Sequence, residues 1–220
     1  WLPFLAPCLG TIARVVRRDK RIKVVALLDN VIPHERRIGD RLFARYMIKS
    51  VGGYVAMSDS VLKDAKSFDD TKPCSLTPHP LYDNFGDKVS RDEAIAHLRL
   101  DAGQRYILFF GLIRDYKGLD LLLRAFADKR LRGKNVKLLV AGEFYSNAER
   151  YEQLEQELEL AQHIVWCKEF IPADEVRYYF AAADLVAQPY KSATQSGITQ
   201  IAYHFERPML VTDVGGLAEI

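Results

Sequence analysis

The sequence predicts an α/β fold of parallel sheets, arranged as two doubly wound domains of which the first is incomplete and the second nearly complete. Three observations carry that expectation. Short apolar runs rich in β-branched and aromatic residues alternate with segments of helical period. Two of the runs, 106–110 and 137–141, are almost continuously apolar, as strands covered by helices on both faces must be. The stretch Thr77-Pro78-His79-Pro80-Leu81-Tyr82-Asp83-Asn84-Phe85-Gly86 breaks both periodicities, which sets a domain boundary there. Residues 1–85 are then the back part of one domain and 86–220 the other.

In chain order, strands are expected at 23–28, 54–57, 106–110, 136–141, 164–166, 185–188 and 209–212. About two of them precede the boundary, too few for a complete doubly wound domain, so its front is expected to lie outside this sequence. The other five alternate strictly with helical segments at 119–129, 148–160, 173–183 and 198–205, an order that implies right-handed crossovers. Because the chain starts at Trp1 and ends at Ile220, just after a Gly215-Gly216 turn that should feed another helix, it reads as an internal piece of a longer protein.

Composition bounds the function. With 220 residues, 49% hydrophobic and 27% charged, the chain can bury a sizeable core. Lys and Arg total 31 against 29 Asp and Glu, and a net charge of +2 gives no general reason to expect nucleic acid. The basic residues concentrate early, at Arg14, Arg17, Arg18, Lys20, Arg21 and Lys23 and again from Arg36 to Lys49. Such a segment serves either as a solvated helix face or as a peripheral contact with anionic lipid or an anionic acceptor. Cys8, Cys74 and Cys167 are odd in number, far apart and without metal-ligand spacing, which fits a reducing cytosol. No apolar stretch approaches membrane-spanning length and no signal peptide stands at the start. The expected place is the cytoplasm, at most peripheral on the inner face of the membrane.

The chemistry sits in two loops. Gly111-Leu112-Ile113-Arg114-Asp115-Tyr116-Lys117-Gly118 joins an apolar strand to an amphipathic helix, on the sheet edge where ligands of open α/β sheets bind. Gly111 permits close backbone approach, Arg114 offers a planar fork and Lys117 a mobile point charge, beside a helix N-terminus that favours anions. The alternative is a pair of solvated loop cations. The second loop, Ser192-Ala193-Thr194-Gln195-Ser196-Gly197, also lies between a strand and a helix N-terminus. Small side chains there let the N–H groups of Ser196 and Gly197 reach an anion, with the Thr194 and Ser196 hydroxyls as further donors, or serve only as helix caps. Both loops belong to one edge of one sheet, so a single diphosphate could lie between them. There is no G-x-G-x-x-G, no P-loop, no C-x-x-C and no H-E-x-x-H, which removes support for a dehydrogenase, a P-loop nucleotidase and a zinc hydrolase.

Four segments, 105–120, Val140-Ala141-Gly142-Glu143, Ala183-Asp184-Leu185-Val186-Ala187-Gln188-Pro189-Tyr190 and 207–217, resemble the nucleotide-sugar domain of group 1 glycosyltransferases of the GT-B fold, in the right order over essentially all of 105–220. Residues 26–35 and 77–80 are similar to the end of that family's acceptor-binding domain. The resemblance implies two Rossmann-like domains, and transfer of a sugar with retention from a nucleoside diphosphate donor to a glycan or lipid-linked acceptor, without a cofactor or bound metal, in surface polysaccharide or lipid-linked glycan assembly. Arg114 and Lys117 match the pair that neutralises the diphosphate as the glycosidic bond breaks. Thr194, Gln195, Ser196 and Gly197 match the loop around the donor phosphates and sugar, and Glu169, Phe170 and Ile171 lie where the family frames the base. The chain departs from the family at two positions where many members carry glutamates, occupied here by Ala193 and Ile201. Asp29 stands on the acceptor side where relatives often show a histidine, with His34 five residues on. A noncatalytic nucleotide-sugar binding protein and a sugar-nucleotide epimerase on the same scaffold are the competing readings.

Overall fold

The computed structural model describes residues 3–33, 37–132, 134–145 and 148–219. Helix α1 (Ala6–Val16) precedes strand β1 (Val25–Leu28), α2 (Asp40–Ser50) leads into β2 (Gly53–Ala56), and α3 (Asp59–Lys66) into β3 (Cys74–Leu76). The three strands form a parallel sheet in sequence order. The reading of the sequence counted two strands here. The third escapes it because Cys74, Ser75 and Leu76 are all exposed and form no apolar run, so β3 is held by its backbone ladder to β2. Leu28, Ala44, Ile48, Tyr54, Ala56 and Val61 fill the space between this sheet and its helices. Ser58 starts α3 by accepting the Val61 N–H at 3.3 Å.

The basic early segment divides in two. Arg14 Nε donates to Ser50 Oγ at 2.9 Å, and Arg17 donates to the carbonyls of Ser50 and Val51 at 2.9 and 2.8 Å. These two arginines tie α1 to the end of α2, where carbonyls without helical partners favour a cation. Arg41, Arg45 and Lys49 are exposed along α2. Among the described residues no helix is long and apolar enough to cross a membrane.

The second sheet follows α4 (Arg91–His97). Its elements are β4 (Arg105–Phe110), α5 (Leu119–Phe126), α6 (Lys129–Arg132), β5 (Val136–Ala141), α7 (Ala148–Glu157), β6 (Ile164–Cys167), α8 (Val176–Ala182), β7 (Leu185–Gln188), α9 (Gly197–His204) and β8 (Met209–Val211). All five strands are parallel, in the order β6-β5-β4-β7-β8. Tyr106, Leu108 and Phe110 pack with Phe180 and Ile201 on one face, while Phe109 packs with Leu119, Leu123 and Tyr151 on the other. Covering on both faces is why β4 shows no polar side. The segment read as one helix, 119–129, is two, because the Asp128 carboxylate accepts the Arg130 N–H at 2.9 Å and starts a new turn.

Two compact units result: Trp1–His79 with Ser192–Gln195 and Asp213–Ile220, and Pro80–Lys191 with Ser196–Thr212. The later segments join the first unit through short contacts. Glu219 accepts the Asp59 N–H at 2.7 Å, and the Thr194 carbonyl accepts the Ser60 hydroxyl at 3.4 Å.

Candidate functional site

In the second unit the strand order reverses between β4 and β7, whose C-terminal ends therefore open the crevice in which an α/β sheet of this kind binds ligands. The chain leaving β4 is held by its neighbour strand. Gly111 N–H donates to the Ala141 carbonyl at 2.9 Å and Ile113 N–H to that of Glu143 at 2.8 Å, while Ile113 accepts from Tyr145 at 3.1 Å. A single 3₁₀ turn, Asp115–Lys117, follows, and Gly118 then leads into α5. The segment is thus a rigid extension of the sheet.

Two cations stand on it. The Arg114 guanidinium lies over the Tyr145 ring, 3.8 Å from its centroid, a stacking that fixes the plane of its fork. Lys117 is only 8% exposed. Its ammonium sits 3.2 Å from where a side chain at Gly111 would place its first carbon, with Ile198 of α9 at the same distance. Gly111, at φ 93°, is therefore what lets Lys117 fold in against the start of α9. Among the described residues Lys117 forms no ion pair. Burial first, and Arg114 second, push it down from 10.5 to about 8. A buried ammonium that forms no ion pair with the described residues, next to a second fixed cation, suits an anion.

The acids of the same turn are already engaged. Asp115 takes Arg150 Nη1 at 2.6 Å and Lys191 Nζ at 3.2 Å, while Asp120 takes Lys191 Nζ at 2.9 Å and Arg150 Nη2 at 3.2 Å. The Arg150 hydrogen bond holds the Asp115 carboxyl below its usual range. Sequence reading passed over this quartet because its members are dispersed from 115 to 191, and only the fold gathers them.

Beyond β7, Tyr190 is buried with its phenol pushed up by desolvation, its ring meeting that of Tyr116 edge-on and its hydroxyl 3.5 Å from Ser196 Oγ. Ser196 caps α9, accepting the Ile198 N–H at 3.2 Å, and its carbonyl accepts the Thr199 N–H at 3.2 Å. That leaves the Gly197 N–H of the first turn to meet an anion. Capping is thus the hydroxyl's work, and Ser196→Ala is expected to cost about 1 kcal/mol of stability while changing diphosphate affinity less than about threefold. Thermal denaturation beside calorimetric titration checks both.

In the first unit, Gln195 Nε2 donates to Asp29 Oδ1 at 2.9 Å. The sequence assigned these residues to opposite substrates, and the fold brings them into one hydrogen bond. Among the described residues, Gln195 Oε1 and Asn30 Oδ1 are buried acceptors without a partner, which suits hydroxyl donors. Thr194 is half-buried, while Ala193 and Ile201 are buried. His34 lies outside the described residues. Glu169 and Phe170 are exposed after β6, Phe170 at 73%, whereas Ile171 packs into the core. Their strand stands two places from β4 in the sheet, roughly 10 Å away.

The sequence pattern of the family described as Glycosyl transferases group 1 matches residues 104–220. The chain belongs to this family. The D-inositol 3-phosphate glycosyltransferase of Segniliparus rotundus is 33% identical over 135 residues, which cover 60% of this chain and 29% of that protein. The chain therefore spans less than a third of the length of this curated relative. Two solved structures extend the likeness to the front of the chain. A sucrose-phosphate synthase from Thermosynechococcus elongatus superposes with a TM-score of 0.80 at 18% identity, over 96% of this chain and 55% of that one. Anabaena HepE in complex with UDP and glucose superposes at 0.71 and 15% identity, over 94% and 57%. These likenesses bear on architecture, and this group 1 glycosyl transferase has the parallel-sheet, Rossmann-like GT-B fold that the sequence predicts.

Proposed function

We propose that this chain carries the donor site of an enzyme that moves a sugar from a nucleoside diphosphate to an acceptor. One observation carries the reading: the Lys117 ammonium, buried and without a counter-ion among the described residues, beside Arg114 at the reversal point of the sheet. When the bond between the sugar and the diphosphate breaks, its electron pair moves onto the phosphate oxygen, and negative charge grows where these cations already stand. Cations fixed in advance favour that state over the bound ground state, which is how they speed the reaction. Two side-chain cations also supply the neutralisation that a metal would otherwise give, in keeping with a metal-independent reaction.

Within this reading, Gly111 leaves the room that Lys117 occupies, and the Gly197 N–H at the start of α9 meets the phosphates. By the family resemblance Thr194, Gln195 and Ser196 serve the phosphates and sugar; within the first unit, Gln195 Oε1 and Asn30 Oδ1, without partners among the described residues, suit sugar hydroxyls, and Asp29 holds Gln195 by accepting from its Nε2 at 2.9 Å. Glu169, Phe170 and Ile171 frame the base. Retention, a glycan or lipid-linked acceptor, and a cytoplasmic site of action with contact at the membrane through exposed Arg41, Arg45 and Lys49 complete the proposal. That HepE was solved with UDP supports the donor class. The buried, apolar Ala193 and Ile201, at positions where many family members carry glutamates, favour a second reading, a protein that binds nucleotide sugars without turning them over.

Calorimetric titration with UDP, GDP and ADP tests the site. Saturable binding of at least one, weakened at least tenfold in Arg114→Ala, is the expected result. If none binds, the anion site is misplaced. Transfer from a nucleotide sugar by the full-length protein separates the enzyme from the binding protein.

A further inference from the structure

We infer that Lys191 is a positioning residue for the diphosphate: its side chain keeps the acids of the Asp115–Lys117 turn away from the anion site, and its backbone holds that turn in place. This rests on the donor site proposed above. Asp115 and Asp120 stand two and three residues from Lys117 in the chain. Two carboxylates so near would draw the buried ammonium or repel a phosphate, and either effect would close the site. They are balanced by two cations, Lys191 at 2.9 Å from Asp120 and 3.2 Å from Asp115, and Arg150 at 3.2 and 2.6 Å. The sum is neutral, so the field at the site is that of Arg114 and Lys117.

Of the two balancing cations, Lys191 does more. The Asp120 side chain is only 12% exposed against 60% for Asp115, so its pairing with Lys191 is the less screened one. The Lys191 N–H also donates to the Tyr116 carbonyl at 2.7 Å, inside the 3₁₀ turn that carries Lys117. Residue 191 thus joins the ends of β7 and β4, the two strands whose loops meet the ligand. Arg150, on α7, supplies charge without that backbone link.

The intact protein is titrated with whichever of UDP, GDP or ADP binds it best and, separately, with the matching nucleoside. Lys191→Met is expected to weaken the diphosphate roughly 10- to 100-fold while leaving the nucleoside within about twofold, because the loss falls on the phosphate contacts. Lys191→Arg keeps the charge and should stay within about threefold of the parent. Lys191→Met with Asp120→Asn restores neutrality and should recover part of the loss. An equal loss for nucleoside and diphosphate would mean a general structural role, and an unchanged diphosphate affinity would mean none; either result overturns the inference while the donor site stands. If the unaltered protein binds no diphosphate, the donor site falls and the inference with it.

Discussion

Replacing Lys117 with methionine is expected to make the folded protein more stable at neutral pH and to remove its hold on a nucleoside diphosphate. Both effects have one cause. Burial, aided by Arg114, brings Lys117 from 10.5 to about 8, so the folded chain gives up this proton more readily than the unfolded one. Between about pH 8 and 10.5 the unfolded state binds more protons, and stability rises with pH across that window. Below pH 8 both states are charged and the folded one bears the whole penalty, about 3 kcal/mol at about 1.4 kcal/mol for each unit of the shift. Methionine fills a similar volume without a charge, so Lys117→Met should raise the melting temperature at pH 7 by roughly 6–12 °C, with a smaller gain at pH 10. The same change should weaken diphosphate binding roughly 10²- to 10³-fold. In the unaltered protein, affinity should fall as pH passes about 8, since binding must then return a proton to Lys117. Differential scanning calorimetry at the two pH values, with titrations alongside, reads all of this. A lower melting temperature for the variant would show that Lys117 is stabilised by its surroundings and that the anion site proposed beside it is wrong.

The placement of the two candidate loops was legible in the sequence, for identifiable reasons. The loops after β4 and β7 announce themselves because a buried parallel strand must be apolar throughout, so Gly111 and the residues after Gln188 stand out as interruptions at known ends of known strands. Strict alternation then places both loops on one edge without any measured distance. What stayed hidden depends on partners remote in sequence. Asp115 and Lys117 look alike in composition, as charged residues of one turn; only Arg150 and Lys191, arriving from α7 and the end of β7, neutralise the one, while the other meets the Tyr190 ring at 5.8 Å and, among the described residues, no carboxylate. Strand β3 was invisible because a short exposed edge strand needs no hydrophobic pattern. Asp29 and Gln195, 166 positions apart, were each found by resemblance, but their hydrogen bond could not be.

Gly118→Ala is expected to be among the most damaging single-methyl changes in the molecule. Gly118 has φ 70° and ψ 27°, its N–H donates to the Asp115 carbonyl at 3.1 Å, and it caps α5. An alanine would accept the left-handed backbone for about 1 kcal/mol. The steric conflict is larger. A first side-chain carbon at 118 would lie 1.9 Å from the Pro189 carbonyl oxygen and 3.0 Å from its carbon, both backbone atoms at the end of β7. No rotamer relieves a contact with backbone, so the β4 and β7 loops must part, pulling on the fully buried Leu119 and on the Tyr116 to Lys191 hydrogen bond. A loss above about 3 kcal/mol follows, together with loss of diphosphate affinity, since the parting loops are the two walls of the proposed donor site. Gly118→Asn separates the two causes. Asparagine tolerates the left-handed region better than alanine but carries the same first carbon. If denaturant titration finds both variants equally crippled, the approach of Pro189 is what demands glycine; recovery of most of the stability by asparagine would place the cost in the backbone angle and leave the two loops free to shift apart.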